Sequence, residues 1–433
     1  MILFGKEMKQ TIITIISFIT LFSCKTAQPV FTVINTIDKE RKDELVVLRR
    51  ADIETKIGIV PDGKYISMKD AKNNALTVQS DDMNADGKWD EAAFLYSFAA
   101  NENAVFTIAI SGINKTSAPR AHVRLRKKIT HTTFGEVINK ETMPDKNPPT
   151  DFSKQPLPLY LTEGPAWEND KVAFRLYFDT RNGKDVFGKL VPGMVMDTVG
   201  LNVNNSYHQL SSWGMDILHV GNSLGGGAIA FGIKENGKDT LIRLGGPNIT
   251  KEVYEQIADG PVRAVFRITY DWELAGKPIQ VIDETSIWGG QYFYQTKITV
   301  KDAPDSLLMY TGMADFYNNT SGNFTESNAA VLFSHGAQSE NQDNIGMAIM
   351  ISKNNFTSVL TAAKENIAGP VAYKPAIFDS YLIGQTLTKE QQATCRFYAS
   401  WEKSDKAFAD INYFKTFLIS EAIIFSHPVE VKW

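Results

Sequence analysis

The stretch from Glu163 to Gly227 concentrates the residue types that can move protons and bind anions. It contains two of the six histidines of the chain, two tryptophans and several carboxylates, set beside glycine-rich turns. Histidine and tyrosine side chains can act as general base and general acid. The guanidinium of arginine binds carboxylates through two parallel hydrogen bonds. We therefore interpret this stretch as a polar cleft.

A strand is predicted at the centre of this stretch, because residues 172–179 alternate between apolar and mixed side chains. Successive residues of a strand point to opposite faces, so the pattern predicts one packed face and one face that meets solvent or ligand. The packed face comprises Val172, Phe174, Leu176 and Phe178. The other face comprises Ala173, Arg175, Tyr177 and Asp179.

The same alternation recurs over residues 262–273 and 292–300, and it predicts a mainly β protein with long antiparallel strands. We expect a large antiparallel β-sandwich at residues 159–433, by analogy a supersandwich like that of mutarotase-like domains. A smaller β-sandwich unit is expected at residues 30–142. The proline-rich segment 143–158 is interpreted as a linker or wrapping loop. A C-terminal helix is predicted to be capped at Ser404-Asp405, to carry Phe408, Ile411, Phe414 and Leu418, and to pack on a sheet.

The N-terminus has the features of an export signal. A basic start, a short apolar run and Leu21-Phe-Ser-Cys24 predict that residues 1–24 are a lipoprotein signal peptide and that Cys24 carries a lipid anchor. An ordinary cleaved signal peptide is the alternative. We expect an exported, membrane-anchored lipoprotein that faces the periplasm rather than the cell surface. Cys395 would then be the single cysteine left, which leaves no intramolecular disulfide, and the net charge of −4 argues against nucleic acid as a partner.

One loop has the spacing of calcium ligands. Oxygen-bearing side chains occupy positions one, three, five and nine, with Gly87 at position six, but Ala93 stands where an EF-hand has a glutamate. The four candidate ligands are Asp82, Asn84, Asp86 and Asp90. The alternative is a hairpin whose Asp-Gly supplies the turn. Any calcium here is expected to be structural, and the catalysis inferred below requires no cofactor.

Other catalytic classes lack their motifs. The histidines do not have the spacing of a helical zinc site, and the βαβ alternation of a Ser-His-Asp hydrolase fold is missing. The glycine cluster at Gly221–Gly227 lacks the order of a dinucleotide-binding loop, so we interpret it as a turn that permits close backbone approach.

Four motifs in combination resemble a family of exported proteins from polysaccharide-utilisation gene clusters, long catalogued as a domain of unknown function. They are Trp167–Tyr177, Tyr207-His208, Trp213–Asp216 and Val220–Gly225. The resemblance covers most of the chain after the signal peptide. It implies kinship with oligosaccharide dehydratases that act on ulvan fragments. These enzymes remove water from a non-reducing-end uronic acid and leave a 4,5-unsaturated residue.

Such a reaction removes the proton next to an ionised carboxylate, so it needs a base, an acid for the leaving hydroxyl and groups that neutralise the carboxylate. The candidate catalytic residues are His208, Tyr207 and Glu168. The candidate substrate-binding residues are Arg175, Arg181, Tyr177, Trp167, Asn169, Trp213, Asp216 and His122. His208 is the first choice for the base. In an extended strand Tyr207 would then point away from the cleft, unless the chain turns there.

Structural roles compete with each of these assignments. Trp167 and Trp213 are more typical of a hydrophobic core, and the charges of Arg175 and Asp179 are typical of an exposed sheet face. Two other functions fit the residues: a polysaccharide lyase or glycoside hydrolase on acidic glycans, and a non-catalytic carbohydrate-binding lipoprotein. An enzyme requires His208 and Arg175 to converge in a cleft, whereas a binding module requires its aromatic residues on an open face.

Overall fold

The computed structural model describes residues 28–202, 204–235, 238–304, 306–365 and 376–433. The first elements are β1 (Val30–Ile34), β2 (Arg41–Arg49), α1 (Arg50–Ile57), β3 (Tyr65–Lys69), β4 (Gln79–Asp81), β5 (Glu91–Phe98) and β6 (Asn103–Ser111). The next are β7 (Ala121–Arg124), β8 (Arg126–Lys128), β9 (Phe134–Val137), β10 (Lys140–Thr142), β11 (Ala166–Asn169), β12 (Val172–Leu176), β13 (Lys184–Lys189) and β14 (Gly214–Asp216).

The remaining strands and the second helix complete the fold. They are β15 (Gly226–Glu235), β16 (Lys238–Arg243), β17 (Ile249–Ala258), β18 (Arg263–Leu274), β19 (Lys277–Trp288), β20 (Phe293–Lys301), β21 (Leu308–Ala314), β22 (Thr320–Glu326), β23 (Ala329–Gly336), β24 (Ile345–Ser352), β25 (Phe356–Thr361), β26 (Ser380–Thr386), β27 (Gln392–Trp401), α2 (Ile411–Ser426) and β28 (Glu430–Lys432). Short 3-10 turns lie at Leu161–Glu163, Gly246–Asn248 and Lys406–Ala409.

The main body is a two-layer sandwich of antiparallel sheets. One layer is the large sheet, with strand order β10-β17-β18-β19-β20-β27-β24-β23-β22. The facing layer consists of the site sheet (β14-β13-β12-β11-β7) and the flanking sheet (β16-β15-β21-β26-β25). A parallel bridge between Lys184 and Gly225 joins these two smaller sheets. The predicted mainly β class with large antiparallel sheets is confirmed.

The core lies between the layers and is built from the inward residues of alternating strands. Trp167 on β11 packs against Phe266 on β18 and Tyr294 on β20, with ring centroids 5.0 and 5.3 Å apart. Phe231 on β15 meets Trp272 on β18 in the same way. One hydrophobic cluster therefore runs through the large, site and flanking sheets.

The C-terminal helix packs on the outer face of the large sheet, and its predicted start is wrong. Asp405 accepts a hydrogen bond from the Ala407 amide and caps only the short 3-10 turn. Asp410 caps α2 itself by accepting from the Asn412 amide. Phe414 and Leu418, both fully buried, pack with β23 and β24.

The small N-terminal unit has boundaries that differ from the predicted ones. Its sheets pair β28-β1-β6-β3 and β2-β5-β4, around a core of their own. However, β7 pairs with β11 and β10 pairs with β17, so residues 121–142 belong to the main sandwich and not to the unit predicted at 30–142. The C-terminal strand β28 returns to pair with β1, so the main unit does not extend to Trp433. The proline-rich segment 143–158 contains no helix or strand, and Asn147 within it donates to the Phe178 carbonyl.

The candidate calcium loop connects β4 and β5, which pair as a hairpin. Its carboxylates accept hydrogen bonds from loop amides: Asp82 from Gly87, and Asp90 from Met83 and Asn84. Gly87 has φ +85°, as a tight turn requires. Among the described residues, no group of three or more His, Cys, Asp or Glu side chains is arranged to hold a metal ion. Calcium binding through Asp82, Asn84, Asp86 and Asp90 stays a prediction.

The signal peptide at residues 1–24 and Cys24 lie outside the described residues, so the lipid anchor also stays a prediction. No helix in the described part of the chain is both long and apolar enough to cross a membrane. Cys395 is a free, buried thiol on β27.

Gly346 on β24 tests how α2 docks on the large sheet. A Cβ at this position would lie 2.7 Å from ring atoms of Phe414, so we expect Gly346→Ala to lower the free energy of unfolding by about 1–3 kcal/mol, measured by chemical denaturation. Gly193→Ala is the matched control, because its Cβ would meet nothing within 4 Å. Equal stability of the two variants would contradict this packing.

Candidate functional site

A cavity of about 310 Å³ opens over the site sheet, between the proline-rich segment and the loop that follows residue 199. Its polar and charged lining comes from Thr162, Glu163, Arg175, Tyr177, Asn202, Asn205, Ser206, Tyr207 and His208. Its apolar wall comes from Phe152, Pro156, Leu157 and Pro158. The cavity thus gathers four residues predicted for the site: Arg175, Tyr177, Tyr207 and His208.

Arg175 is the central charge of this site and is 1% exposed. Its Nη2 donates to Asp185 Oδ2 and to the Tyr177 hydroxyl, both at 2.6 Å. Its Nη1 donates to the Thr162 carbonyl at 2.7 Å and to Glu163 Oε2 at 3.2 Å. The predicted role of Arg175 as a two-pronged clamp for a substrate carboxylate is therefore wrong, because both prongs of the guanidinium are already occupied by protein groups.

Tyr177 lies between two guanidinium groups. The Cζ atoms of Arg175 and Arg181 lie 3.9 and 3.7 Å from its ring centroid. Its hydroxyl donates to Asp185 at 3.2 Å. Burial raises the pKa of Tyr177 well above its usual range, although the positive charge of Arg175 opposes this. Arg181 pairs with Asp179 and Glu163 rather than lining the cavity, so its part in the site is to hold Tyr177 and Glu163.

The turn that carries Thr162 and Glu163 has a strained backbone. Both residues have positive φ, +50° and +65°, a conformation that costs a non-glycine residue about 1–3 kcal/mol. Arg124 on β7, fully buried, holds this turn by donating to the carbonyls of Leu161 and Gly164 and to the Thr162 hydroxyl. Burial lowers the pKa of Arg124 to about 10. The strained turn aims Glu163 at Arg175 and Arg181.

Tyr207 and His208 both reach the cavity, because the turn that the sequence left open as the exception is present. The chain turns at these residues instead of running as a strand, and their ring centroids are 4.5 Å apart. His208 lies at the rim with 57% of its side chain exposed, and its Nδ1 is 3.3 Å from Oδ2 of the buried Asp216. Asp216 is thus placed to orient the imidazole rather than to bind substrate.

The pKa values of these groups diverge. Partial burial, followed by the positive charge of Arg175, lowers the pKa of His208. Burial raises the pKa of Tyr207 to about 12. Burial, followed by the negative charge of Asp185, raises the pKa of the Asp216 carboxyl well above its usual range. The surroundings therefore favour the neutral forms of the imidazole, the phenol and the carboxyl.

Two residues of the Trp-Glu-Asn motif were assigned wrongly to catalysis or to sugar stacking. Trp167 is fully buried in the core, so it cannot stack on a sugar ring. Glu168 is also fully buried. It pairs with Lys189 at 2.5 Å and accepts from the amides of Val195 and Met196, so it anchors the loop after β13 and cannot reach the cavity as a catalytic residue.

Three other residues predicted to bind substrate have structural partners outside the cavity. Asn169 donates to the carbonyls of Trp288 and Gln291 and joins β11 to the large sheet. Trp213 packs against Phe187. His122 lies between Asp259 and Asp197. Burial opposes its protonation, but hydrogen bonds to both carboxylates raise the pKa of His122 to about 10.

Sequence reasoning missed Thr162, Glu163 and Asp185 as site residues. Asp185 pairs in register with Arg175 across β12 and β13, and that contact depends on the strand register. The Glu-Gly-Pro at 163–165 is a turn signal that could have drawn attention to Glu163. Leu157, which is 2% exposed, shows that the proline-rich segment supplies a cavity wall.

Residues 33–431 match the family described as Domain of unknown function (DUF4861). The chain belongs to this family. No curated protein matches the chain. The family therefore identifies the chain without assigning an activity.

Among solved structures, the DUF4861 chain is similar to a protein in glycosyl hydrolase family 38 from Enterococcus faecalis, with a TM-score of 0.47 and 9% identity over 93% of this chain and 47% of that one. It is also similar to an alpha-mannosidase from Enterococcus faecalis V583, with a TM-score of 0.43 and 9% identity over 93% of this chain and 45% of that one. The chain spans about half the length of these structures.

Replacing Arg175 tests how much its buried hydrogen bonds and ion pairs stabilise the protein. Arg175→Met leaves the buried Asp185 without its counter-charge and Glu163 with Arg181 alone, so we expect the free energy of unfolding to fall by about 3–5 kcal/mol in chemical denaturation. Arg267→Met is the control, because Arg267 pairs with Glu284 at 2.6 Å on the partly exposed outer face and should cost at most about 1 kcal/mol. A similar loss of unfolding free energy in both variants would show that the buried interactions of Arg175 contribute no more than an exposed ion pair.

Proposed function

We propose that this protein is a carbohydrate-active enzyme that eliminates water from the non-reducing-end uronic acid of an acidic oligosaccharide and leaves a 4,5-unsaturated residue. The observation that carries the proposal is the adjacency of His208, whose pKa is lowered, and Tyr207, whose pKa is raised, on one cavity wall. A base and an acid with diverging pKa values are what such an elimination requires. The sequence motifs that resemble ulvan oligosaccharide dehydratases add the substrate class.

In the proposed step, Nε2 of neutral His208 takes the proton from C5 of the uronate, next to the carboxylate. The C5–H electron pair becomes the C4=C5 double bond, and the C4–O4 bond breaks. Tyr207 gives its hydroxyl proton to O4, which leaves as water. His208 has then gained one proton and Tyr207 has lost one, and transfer between them restores the site. Asp216 Oδ2 lies 3.3 Å from Nδ1 and orients the imidazole so that Nε2 is free to act.

The substrate carboxylate must be neutralised by groups other than the occupied fork of Arg175. The amides of Asn202 and Asn205 line the same cavity and can donate hydrogen bonds to it. Arg175 contributes its positive charge at longer range and keeps His208 unprotonated. An export route with a lipid anchor at Cys24 suits the degradation of an extracellular glycan, and calcium in the hairpin loop would be structural; both belong to this proposal.

His208→Ala should abolish turnover without unfolding the protein. The assay incubates saturated, uronate-terminated oligosaccharides with the enzyme and follows the ultraviolet absorbance of the conjugated product, together with the mass loss of one water. Tyr207→Phe should lower turnover strongly, because it removes the proton donor but keeps the ring. His131→Ala is the control, since His131 is an exposed histidine outside the cavity. Near-normal turnover by His208→Ala would remove this residue from the mechanism, and hydrolytic cleavage by the wild type would indicate a glycosidase instead.

The pH dependence of kcat/KM should follow the two shifted groups. His208 works as a base only when it is unprotonated, and its pKa lies below the ordinary value of about 6.5. We therefore expect kcat/KM to rise with pH and to level off with a midpoint below about 6.5. Tyr207 keeps its proton until its pKa of about 12, so the plateau should continue to about pH 10. A rising limb centred above pH 7 would contradict His208 as the base.

A further inference from the structure

We propose that the oligosaccharide continues from the cavity onto a second sugar-binding subsite formed by Phe316, Tyr317, His219 and Glu340. The inference rests on the proposed function, because it places the next sugar of the same substrate. We call these four residues the adjoining subsite. They belong to the loop after β21, the turn after β14 and the loop after β23, and none of them lines the cavity.

A short chain of contacts joins the adjoining subsite to the catalytic pair. His208 faces Asp216 at the end of β14. The next residue, Ile217, accepts a hydrogen bond at its carbonyl from the Glu340 amide at 2.9 Å. The carboxylate of Glu340 then meets His219 Nδ1 at 2.7 Å. Consequently Glu340 is next to the cavity rim. Its negative charge raises the pKa of His208, against the larger lowering effect of burial.

The aromatic surface of the subsite is exposed and held in place. Tyr317 is 55% exposed, although its backbone has φ +57°, which is unfavourable for a bulky residue. Asp315 holds the loop: its amide donates to the Asp379 carbonyl, and its carboxylate pairs with Lys364 at 2.7 Å and accepts from Asn319. These contacts hold the strained backbone of Tyr317, whose ring is exposed to solvent beside the cavity.

The turn at Gly221 lies close to the rings of Phe316 and His219. Gly221 has φ +50°, and a Cβ there would lie 3.2 Å from Phe316 and 3.5 Å from His219 Nε2. Phe316 packs edge-on against His219, with ring centroids 4.5 Å apart. Glycine avoids both the backbone strain and the tight contact with the Phe316 ring that a side chain would bring at this position.

The chemistry of the subsite indicates an uncharged pyranose. Aromatic faces pack against the apolar face of a sugar ring. The His219–Glu340 pair offers a donor and an acceptor for neighbouring hydroxyls, and the Tyr317 hydroxyl already donates to Glu340 at 3.3 Å. The hydrogen bond between the two side chains raises the pKa of His219 and lowers that of Glu340, which favours a pair of opposite charges. With the Glu340 carboxylate beside it, the pair offers no surplus positive charge to a sulfate or carboxylate, so a neutral sugar fits this position.

The test measures binding rather than turnover, so that it stands apart from the proposed reaction. Calorimetry in the His208→Ala background compares methyl β-glucuronide with a glucuronate-terminated disaccharide whose second sugar is neutral. We expect the disaccharide to bind more tightly. Tyr317→Ala should weaken disaccharide binding about 5- to 10-fold and leave the monosaccharide unchanged, while Tyr317→Phe should keep most of the affinity. Tyr65→Ala, at a comparably exposed tyrosine of the small unit, is the control and should change neither.

The adjoining subsite is overturned if the disaccharide gains nothing over the monosaccharide, if neither ligand binds, or if Tyr317→Ala weakens both ligands equally or neither. Failure of the proposed function has a different signature, namely no loss of water from uronate-terminated oligosaccharides by the wild-type protein. If the disaccharide binds more tightly through Tyr317 but the wild-type protein removes no water, the subsite is retained and the elimination is rejected.

Discussion

The buried guanidinium of Arg175 is the interaction on which the site depends. A cation that is 1% exposed is costly to desolvate unless hydrogen bonds and opposite charges surround it. Those partners come from three directions: Asp185 from the adjacent strand, Tyr177 from its own strand, and the Thr162–Glu163 turn from the loop above. The need to satisfy one cation thereby fixes the positions of the groups that line the cavity.

Burial explains why the pKa values of neighbouring groups move in opposite directions. It lowers the pKa of His208, with a further contribution from the positive charge of Arg175, and it raises the pKa values of Tyr207 and Asp216. These groups occupy one small region, and their surroundings favour the neutral form of each. The chemical character of the cavity thus comes from the buried network more than from any single residue.

The sequence could predict which face of a strand a residue occupies, but not what meets that face. The alternation of apolar and polar residues placed Arg175 and Tyr177 on the same face, where they form a hydrogen bond. The large antiparallel sheets and the C-terminal helix were also predicted. The occupation of the guanidinium by Asp185 depends on the register between β12 and β13, and the strain at Thr162 depends on Arg124, far away in the chain. Trp167 has the core position that competed with its assignment to the site, and Glu168 is buried as well, because β11 is covered on both faces.

The glycine cluster at Gly221–Gly227 explains how the site sheet and the flanking sheet are joined. Gly225 bridges Lys184, and a Cβ there would lie 2.0 Å from the Lys184 carbonyl, so the close approach expected from the sequence is present. This contact joins the site sheet, which carries Arg175, to the flanking sheet, whose strand β21 leads into Tyr317. The residues between, from Asp216 to Gly221, belong to both neighbourhoods. Because the two sheets meet at this turn, the cavity and the adjoining aromatic surface keep a fixed separation, as the proposed binding of two successive sugars requires.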